Sequence, residues 1–335
     1  MKKGVSRVIR IAFTTLIVVM LVLFARTVNW KETWSAIRSA SPGLLVAAAL
    51  VNLLSLTVKG VRWWIFLRPI GATSLGLALR ATFAGAGLNN VLVANGGEAA
   101  RVIFVARTAH IQSARVLATL AIERLFELIG YILLLVGAVS FLSLPHEIAR
   151  ARPLAIAALV LIVAFLVFLV RRPASAELPD VVGHGMGAKL KGFWNRFVHA
   201  LAGISTGPRF AAALGLSVLG WALQVVTYSL TAKAAHFDLS LVGTIAAIIA
   251  VNLGFALRAT PGNVGVFQML YAVAASAFGA SKDDAIAVAF LIQTQQILPV
   301  TILGVLMAPE FLFKRRRTPR ADNVLPGEPV LGGGD

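Results

Sequence analysis

Glu98, Arg101, Glu123, Arg124, Glu127 and Arg258 stand in or beside long apolar stretches of this 335-residue chain. A charged side chain inside a bilayer costs about 2.5–3.5 kcal/mol on insertion scales, so such groups usually face a bundle interior or a water-filled cavity. Glu98 and Arg101 are three residues apart and can pair on a helix, as can Arg124 and Glu127. Glu123 and Glu127 share a helix face, which turns two carboxylates toward one region. Two chemistries fit this pattern. In one, arginines hold a lipid phosphate and carboxylates hold a cationic headgroup or a proton along a polar passage. In the other, the same groups are ion pairs that fix helix register at the cytoplasmic boundary. Glu98 and Arg101 follow an interrupted apolar segment, which favours the passage for those two.

The interruptions are the second feature. Residues 77–93 are apolar but contain Gly85, Gly87, Asn89 and Asn90, and end in the polar turn Asn95-Gly96-Gly97-Glu98. Exposed amides in hydrocarbon cost several kcal/mol each, so this segment reads as a re-entrant or broken helix lining a cavity. Asn252 followed by Pro261-Gly262-Asn263-Val264-Gly265 echoes it in the second half of the chain. Broken segments at matching places in two halves point to a transport site. Pro261, Gly262 and Gly265 break a helix or kink it, with Gln268 one turn on. Gln293, Gln295 and Gln296 line a cavity or hydrogen-bond between helices.

The elements that must position these residues are membrane spans. Hydrophobic residues make up 58% of the chain and charged ones only 13%, against about a quarter charged in soluble domains. Spans are read over 11–25, 43–58, 116–144, 153–170, 210–231, 241–257, 264–278 and 285–307, with 77–93 as a hairpin. The fold class is an all-α polytopic membrane protein of about eight transmembrane helices, with two pseudo-repeated halves. The first run, behind Lys2, Lys3, Arg7 and Arg10, begins as a signal peptide would, but Leu23-Phe24-Ala25 is a poor cleavage site and an uncleaved span is expected. Lys59, Arg62 and Trp63-Trp64 read as an interfacial collar. Leu190, Phe193, Trp194, Phe197 and Leu201 recur at helical spacing within the polar stretch 171–208. They form either an interfacial amphipathic helix or a loop helix packed on the spans.

The net charge of +17 sits mostly at span ends, as cytoplasmic loops and anionic headgroups require. The N-terminus and the cluster Lys314-Arg315-Arg316-Arg317 are therefore expected in the cytoplasm of a multi-pass inner-membrane protein. Residues 1–313 form the polytopic domain, and 314–335 a basic, then disordered tail. No nucleic-acid module is recognisable. With no cysteine and five scattered histidines, neither a metal site nor another cofactor is expected. Walker A, nucleophile-elbow and HExxH motifs are missing from the sequence.

Arg62-Trp63 with Leu67-Arg68-Pro69, Asn90 followed by Gly97-Glu98 and Arg101, Glu123-Arg124, and Pro261 to Phe267 in order and spacing resemble the lysylphosphatidylglycerol synthase transmembrane (flippase-like) family. A proline common before the Gly-Glu pair is replaced by Val93-Ala94-Asn95, and an acid usual after the Gly-Val-Phe run is Gln268. The resemblance implies translocation of a phospholipid or other polar lipid between leaflets. The partners it implies are membrane lipids with anionic or polar headgroups, with a homo-oligomer or a pathway enzyme as a further association. Because the chain ends shortly after Arg317, synthesis of lysyl-lipid by this polypeptide is not expected. Two other readings stand beside translocation: a membrane enzyme or accessory subunit in glycolipid or polyprenyl-linked sugar metabolism, and a small-solute transporter.

Overall fold

The structure, a computed structural model, describes residues 26, 28–91, 96–141, 150, 207–254 and 263–307, with isolated positions between 153 and 195. The first span, residues 92–95, Arg258, Pro261, Gly262 and the basic tail lie outside the described residues, as do most of the 153–170 span and the amphipathic stretch.

A short helix, α1 (Trp30–Ser39), precedes a long one, α2 (Pro42–Leu67). Two shorter helices follow, α3 (Leu75–Val91) and α4 (Gly96–Thr108), and then the long α5 (Ser113–Phe141). The second half repeats the order with long α6 (Gly207–Ala234), short α7 (Leu241–Gly254) and α8 (Val266–Ser276), and long α9 (Lys282–Leu306). Among the described residues everything regular is helical, as the apolar periodicity requires.

The repeat extends to the helix ends. α2 closes with Ala72 N–H donating to Leu67 O around left-handed Gly71, and α6 with Phe237 N–H donating to Ala232 O around left-handed His236. α4 and α8 close the same way, Ile111 to Ala106 around His110 and Ala280 to Ala275 around Gly279. These six-to-one bonds satisfy the last carbonyls that a helix leaves free. At the next helix start, Ser74 Oγ accepts from Leu77 N–H at 3.2 Å, and Ser240 Oγ accepts from Gly243 N–H at 3.1 Å.

The two halves are inverted with respect to each other. Ser41 N–H, at the start of α2, donates to Ala234 O at the end of α6 at 2.7 Å. Arg62, near the end of α2, reaches Ser217 near the start of α6 at 2.9 Å. α2 and α6 therefore run antiparallel along their whole length. Each half gathers its own apolar core: Trp63, Phe66, Phe126 and Val105 in the first, Tyr228, Phe267, Tyr271 and Ile292 in the second.

The short helices pair as hairpins. Gly97, opening α4, packs so tightly on α3 that a Cβ there would stand 2.0 Å from Gly85 O. The glycines of α3 thus do not break it; they let α4 fold back along it. Gly87 in turn meets Gly304 of α9, where added Cβ atoms would fall 3.1 and 2.9 Å from the facing Cα. The expected spans at 241–257 and 264–278 are α7 and α8, of 14 and 11 residues. At about 1.5 Å per residue both are shorter than the roughly 30 Å hydrocarbon core. The long helices α2, α6 and α9 are long and apolar enough to cross a membrane, and α5, at 29 residues, matches them in length while carrying the charges of its first half. Outward on α2, Val46, Leu50 and Leu54 make an exposed apolar stripe, as a lipid-facing helix requires.

A candidate lipid-headgroup cavity

The antiparallel pair α2 and α6 carries matching stripes. Asn52, Ser55, Lys59 and Arg62 recur at helical spacing on α2, and Ser217, Gly220, Gln224 and Thr227 recur at the same spacing on α6. All but Thr227 line a cavity of about 220 Å³ between the halves. Asn90, from the tip of the first hairpin, and Asn252, from the second, reach the same cavity. Glu127 of α5 and Gln296 of α9 close it from the sides, with Trp221 and Tyr228 adding aromatic walls. The Asn90–Asn252 echo legible in the sequence thus brings both asparagines to one cavity.

Backbone breaks and amides are matched here. Pro299, inside α9, has no N–H to give to the carbonyl one turn back, that of Gln295. Asn52 Nδ2 donates to that carbonyl at 3.3 Å. Asn90 Nδ2 donates to Ile297 O at 3.4 Å and Thr301 Oγ1 at 3.1 Å on the same helix. With their nitrogens so used, these amides keep carbonyl oxygens as acceptors.

The charges concentrate at one end. Glu123, 3% exposed, is ion-paired to Arg101 and lies 4.0 Å from Arg62. Arg62, 2% exposed, also donates to Glu127 Oε1 at 3.3 Å. Arg124 bridges Glu127 and Glu98. Lys59 Nζ stands 3.9 Å from Glu127 Oε1. The sequence expectation that Glu98 and Arg101 pair is not met: each crosses to α5, Glu98 to Arg124 and Arg101 to Glu123. The hairpin is therefore held to α5 by two ion pairs, while Arg124 and Glu127 pair as their spacing suggested. Arg101 also lies 4.4 Å over the Trp63 ring, whose Nε1–H donates to Thr119 at 3.0 Å. Among the described residues four cations, Lys59, Arg62, Arg101 and Arg124, stand here against the carboxylates of Glu98, Glu123 and Glu127. Nε of both Arg62 and Arg101 is buried without a partner among the described residues.

The remaining candidates fall elsewhere. Asn89 Oδ1 accepts from Gly97 N–H at 2.8 Å and so ties the hairpin together. Gly265, at φ 89°, opens α8, and its N–H donates to Gln268 Oε1 at 2.7 Å. Gln268 Nε2 donates to Gln293 Oε1 at 2.6 Å, binding α8 to α9. Sequence reading missed Asn52, Ser55, Ser217 and Gln224, and took Lys59 and Arg62 for an interfacial collar. The signal was present as polar residues at i, i+3, i+7 and i+10 within an apolar helix.

The profile of the family described as Lysylphosphatidylglycerol synthase TM region matches residues 7–304. The chain is also similar to a protein of Haloferax volcanii named Glycosyltransferase AglD, 26% identical over 333 residues. That match covers 89% of this chain and 53% of the relative, so the chain spans about half the relative's length.

Proposed function

The chain belongs to the lysylphosphatidylglycerol synthase transmembrane family, and from that premise we propose that it moves a polar-headed membrane lipid between leaflets. One observation carries this reading: a cavity lined by amides, hydroxyls and charges lies between two inverted halves of a membrane-spanning bundle. An unaided headgroup loses its water in hydrocarbon, at several kcal/mol per polar group. The polar stripes of α2 and α6 replace that water while the acyl chains stay outside. Inverted halves with discontinuous helices meeting at a central site supply alternating access by rocking one half against the other.

Arg68, Arg80, Arg107, Arg115 and Arg209 lie at or near the end where α2 finishes and α6 begins. The opposite end mixes Lys31, Arg38, Lys233 and Lys282 with Glu32, Asp238, Asp283 and Asp284. The positive-inside rule puts the arginine-rich end in the cytoplasm of a cell membrane, and both termini with it. The test is leaflet exchange of headgroup-labelled lipids in proteoliposomes, with Lys59→Gln, Glu98→Gln and Arg101→Ala beside the wild type. Headgroup-selective exchange that the variants lose supports translocation; folded, inserted protein that exchanges no lipid overturns it.

A second reading, an enzyme or accessory subunit of glycolipid or polyprenyl-linked sugar metabolism, is favoured by the name of the Haloferax relative. It requires chemical turnover of a lipid-linked sugar, which mass spectrometry of the same proteoliposomes detects.

A further inference from the structure

The cavity is chemically polarised. Because α2 and α6 are antiparallel, Lys59 and Arg62 lie at the end where α6 begins, and the amide Gln224 and the Tyr228 hydroxyl lie toward the Asn52 end. From Asn52 to Arg62 is ten helical residues, about 15 Å. A cavity of about 220 Å³ is below the roughly 300–1,000 Å³ of pockets that enclose drug-sized ligands, so it takes a headgroup and not the lipid tails.

At the charged end the balance is cationic. Glu127 is the carboxylate lining the cavity, and it already faces Arg62, Arg124 and Lys59. Its two oxygens leave nothing uncompensated for an incoming ammonium. Lys59 stands 3.9 Å from Glu127, beyond hydrogen-bond length, which leaves its ammonium donors for another acceptor. Arg62, its Nη atoms held by Ser217 and Glu127, adds positive charge beside Lys59. The Lys59 ammonium thus offers donors to an anion, and phosphate is an anion that such groups hold through charge-assisted hydrogen bonds. Among the described residues the other end carries no charge. Side-chain amides and a phenol both donate and accept, and so match an uncharged group dense in hydroxyls.

Resting on the translocation reading for its setting, we propose that the headgroup recognised here is a phosphodiester joined to an uncharged polyol, with the phosphate at Lys59 and Arg62 and the hydroxyls at Gln224 and Tyr228. An aminoacylated, cationic headgroup does not fit this cavity. The chemistry is shared by phosphatidyl-polyols and by polyprenyl-phosphate sugars.

Binding to the purified full chain in detergent, read by tryptophan fluorescence, tests the assignment against six probes. Phosphatidylglycerol, phosphatidylinositol and a polyprenyl-phosphate hexose carry both groups. Phosphatidic acid lacks the polyol, a glucosyl-diacylglycerol lacks the phosphate, and lysyl-phosphatidylglycerol is cationic. At least one of the first three is expected to bind ten-fold or more tighter than each of the last three, and which one binds names the source. Lys59→Gln is expected to weaken that ligand about ten-fold without changing glucosyl-diacylglycerol, with Lys59→Arg restoring it. Gln224→Leu is expected to weaken the ligand without changing phosphatidic acid. Lysyl-phosphatidylglycerol binding as tightly as the best phospho-polyol overturns the assignment, as do two variants that weaken every probe alike. Selective binding without leaflet exchange removes the translocation reading and leaves the assignment standing; exchange without headgroup preference does the reverse.

Discussion

The first half of the bundle places Lys59, Arg62 and Glu127 where the second places Gln224, Thr227 and Gln296 at the same helical spacing. Both halves build a long helix, a short hairpin and a second long helix, with the same caps at the same ends. In the second half the hairpin is held to its long helix by apolar packing and the Gln268–Gln293 bond. In the first, the equivalent junction uses Arg101–Glu123 and Glu98–Arg124. Among the described residues the second junction forms without charges, so the architecture does not demand them there. Buried ion pairs are weak evidence for stability in any case, since desolvation offsets most of their attraction. What separates the halves is what they offer a ligand, and the charged half is the one that offers it an anion site.

The comparison can be broken at the ion pairs first. Arg101→Met leaves Glu123, 3% exposed, with only the more distant Arg62, and is expected to cost about 3–5 kcal/mol. Adding Glu123→Leu should recover most of that loss by making the first junction resemble the second. Thermal unfolding of the two single variants and the double variant in detergent measures it; a double variant no more stable than the singles would show that the charges hold the fold.

The hairpin packing is the next test. Gly97→Ala drives a Cβ into Gly85 O and is expected to cost about 1–3 kcal/mol. Gly220→Ala, where a Cβ meets nothing within 4 Å, should be neutral or stabilising by up to about 1 kcal/mol through helix propensity. The same unfolding assay separates them, and equal effects would contradict the close approach of α4 to α3.

A comparable effect sharpens the account of the α9 break. Asn52→Leu leaves the Gln295 carbonyl without its donor, at about 1–3 kcal/mol. Pro299→Ala supplies a backbone N–H for that carbonyl, so it should stabilise the Asn52→Leu background more than the wild type. Additive effects in a double-mutant cycle would mean that Asn52 is not answering Pro299.

Much of this was legible in the sequence for physical reasons. Apolar run length exposed the long helices, and amides and glycines in apolar surroundings marked Asn90; the hairpin expected within 77–93 is instead the pair α3 and α4, with α3 an unbroken helix. The pairing of Glu98 with Arg124 was not legible, because spacing along one helix says nothing of a partner on another. The two apolar runs of the second hairpin were legible, but not their lengths, because apolar content alone does not fix helix ends: among the described residues α7 and α8 have 14 and 11 residues. The burial of Arg62 was not legible for a related reason: a basic residue near the end of an apolar run looks the same whether it meets headgroups or turns inward. Only the antiparallel seating of α6 turns it inward, with Ser217 beside Arg62.

The claim that lipid passes between the halves is tested most directly by reversible obstruction. The chain has no native cysteine, so Gln224→Cys offers a single thiol in the cavity wall. Leaflet exchange is followed before modification with a bulky methanethiosulfonate, after it, and after reduction, with the extent of modification checked by mass spectrometry. The account predicts exchange that falls at least ten-fold on modification and returns on reduction. Undiminished exchange by fully modified protein would contradict it.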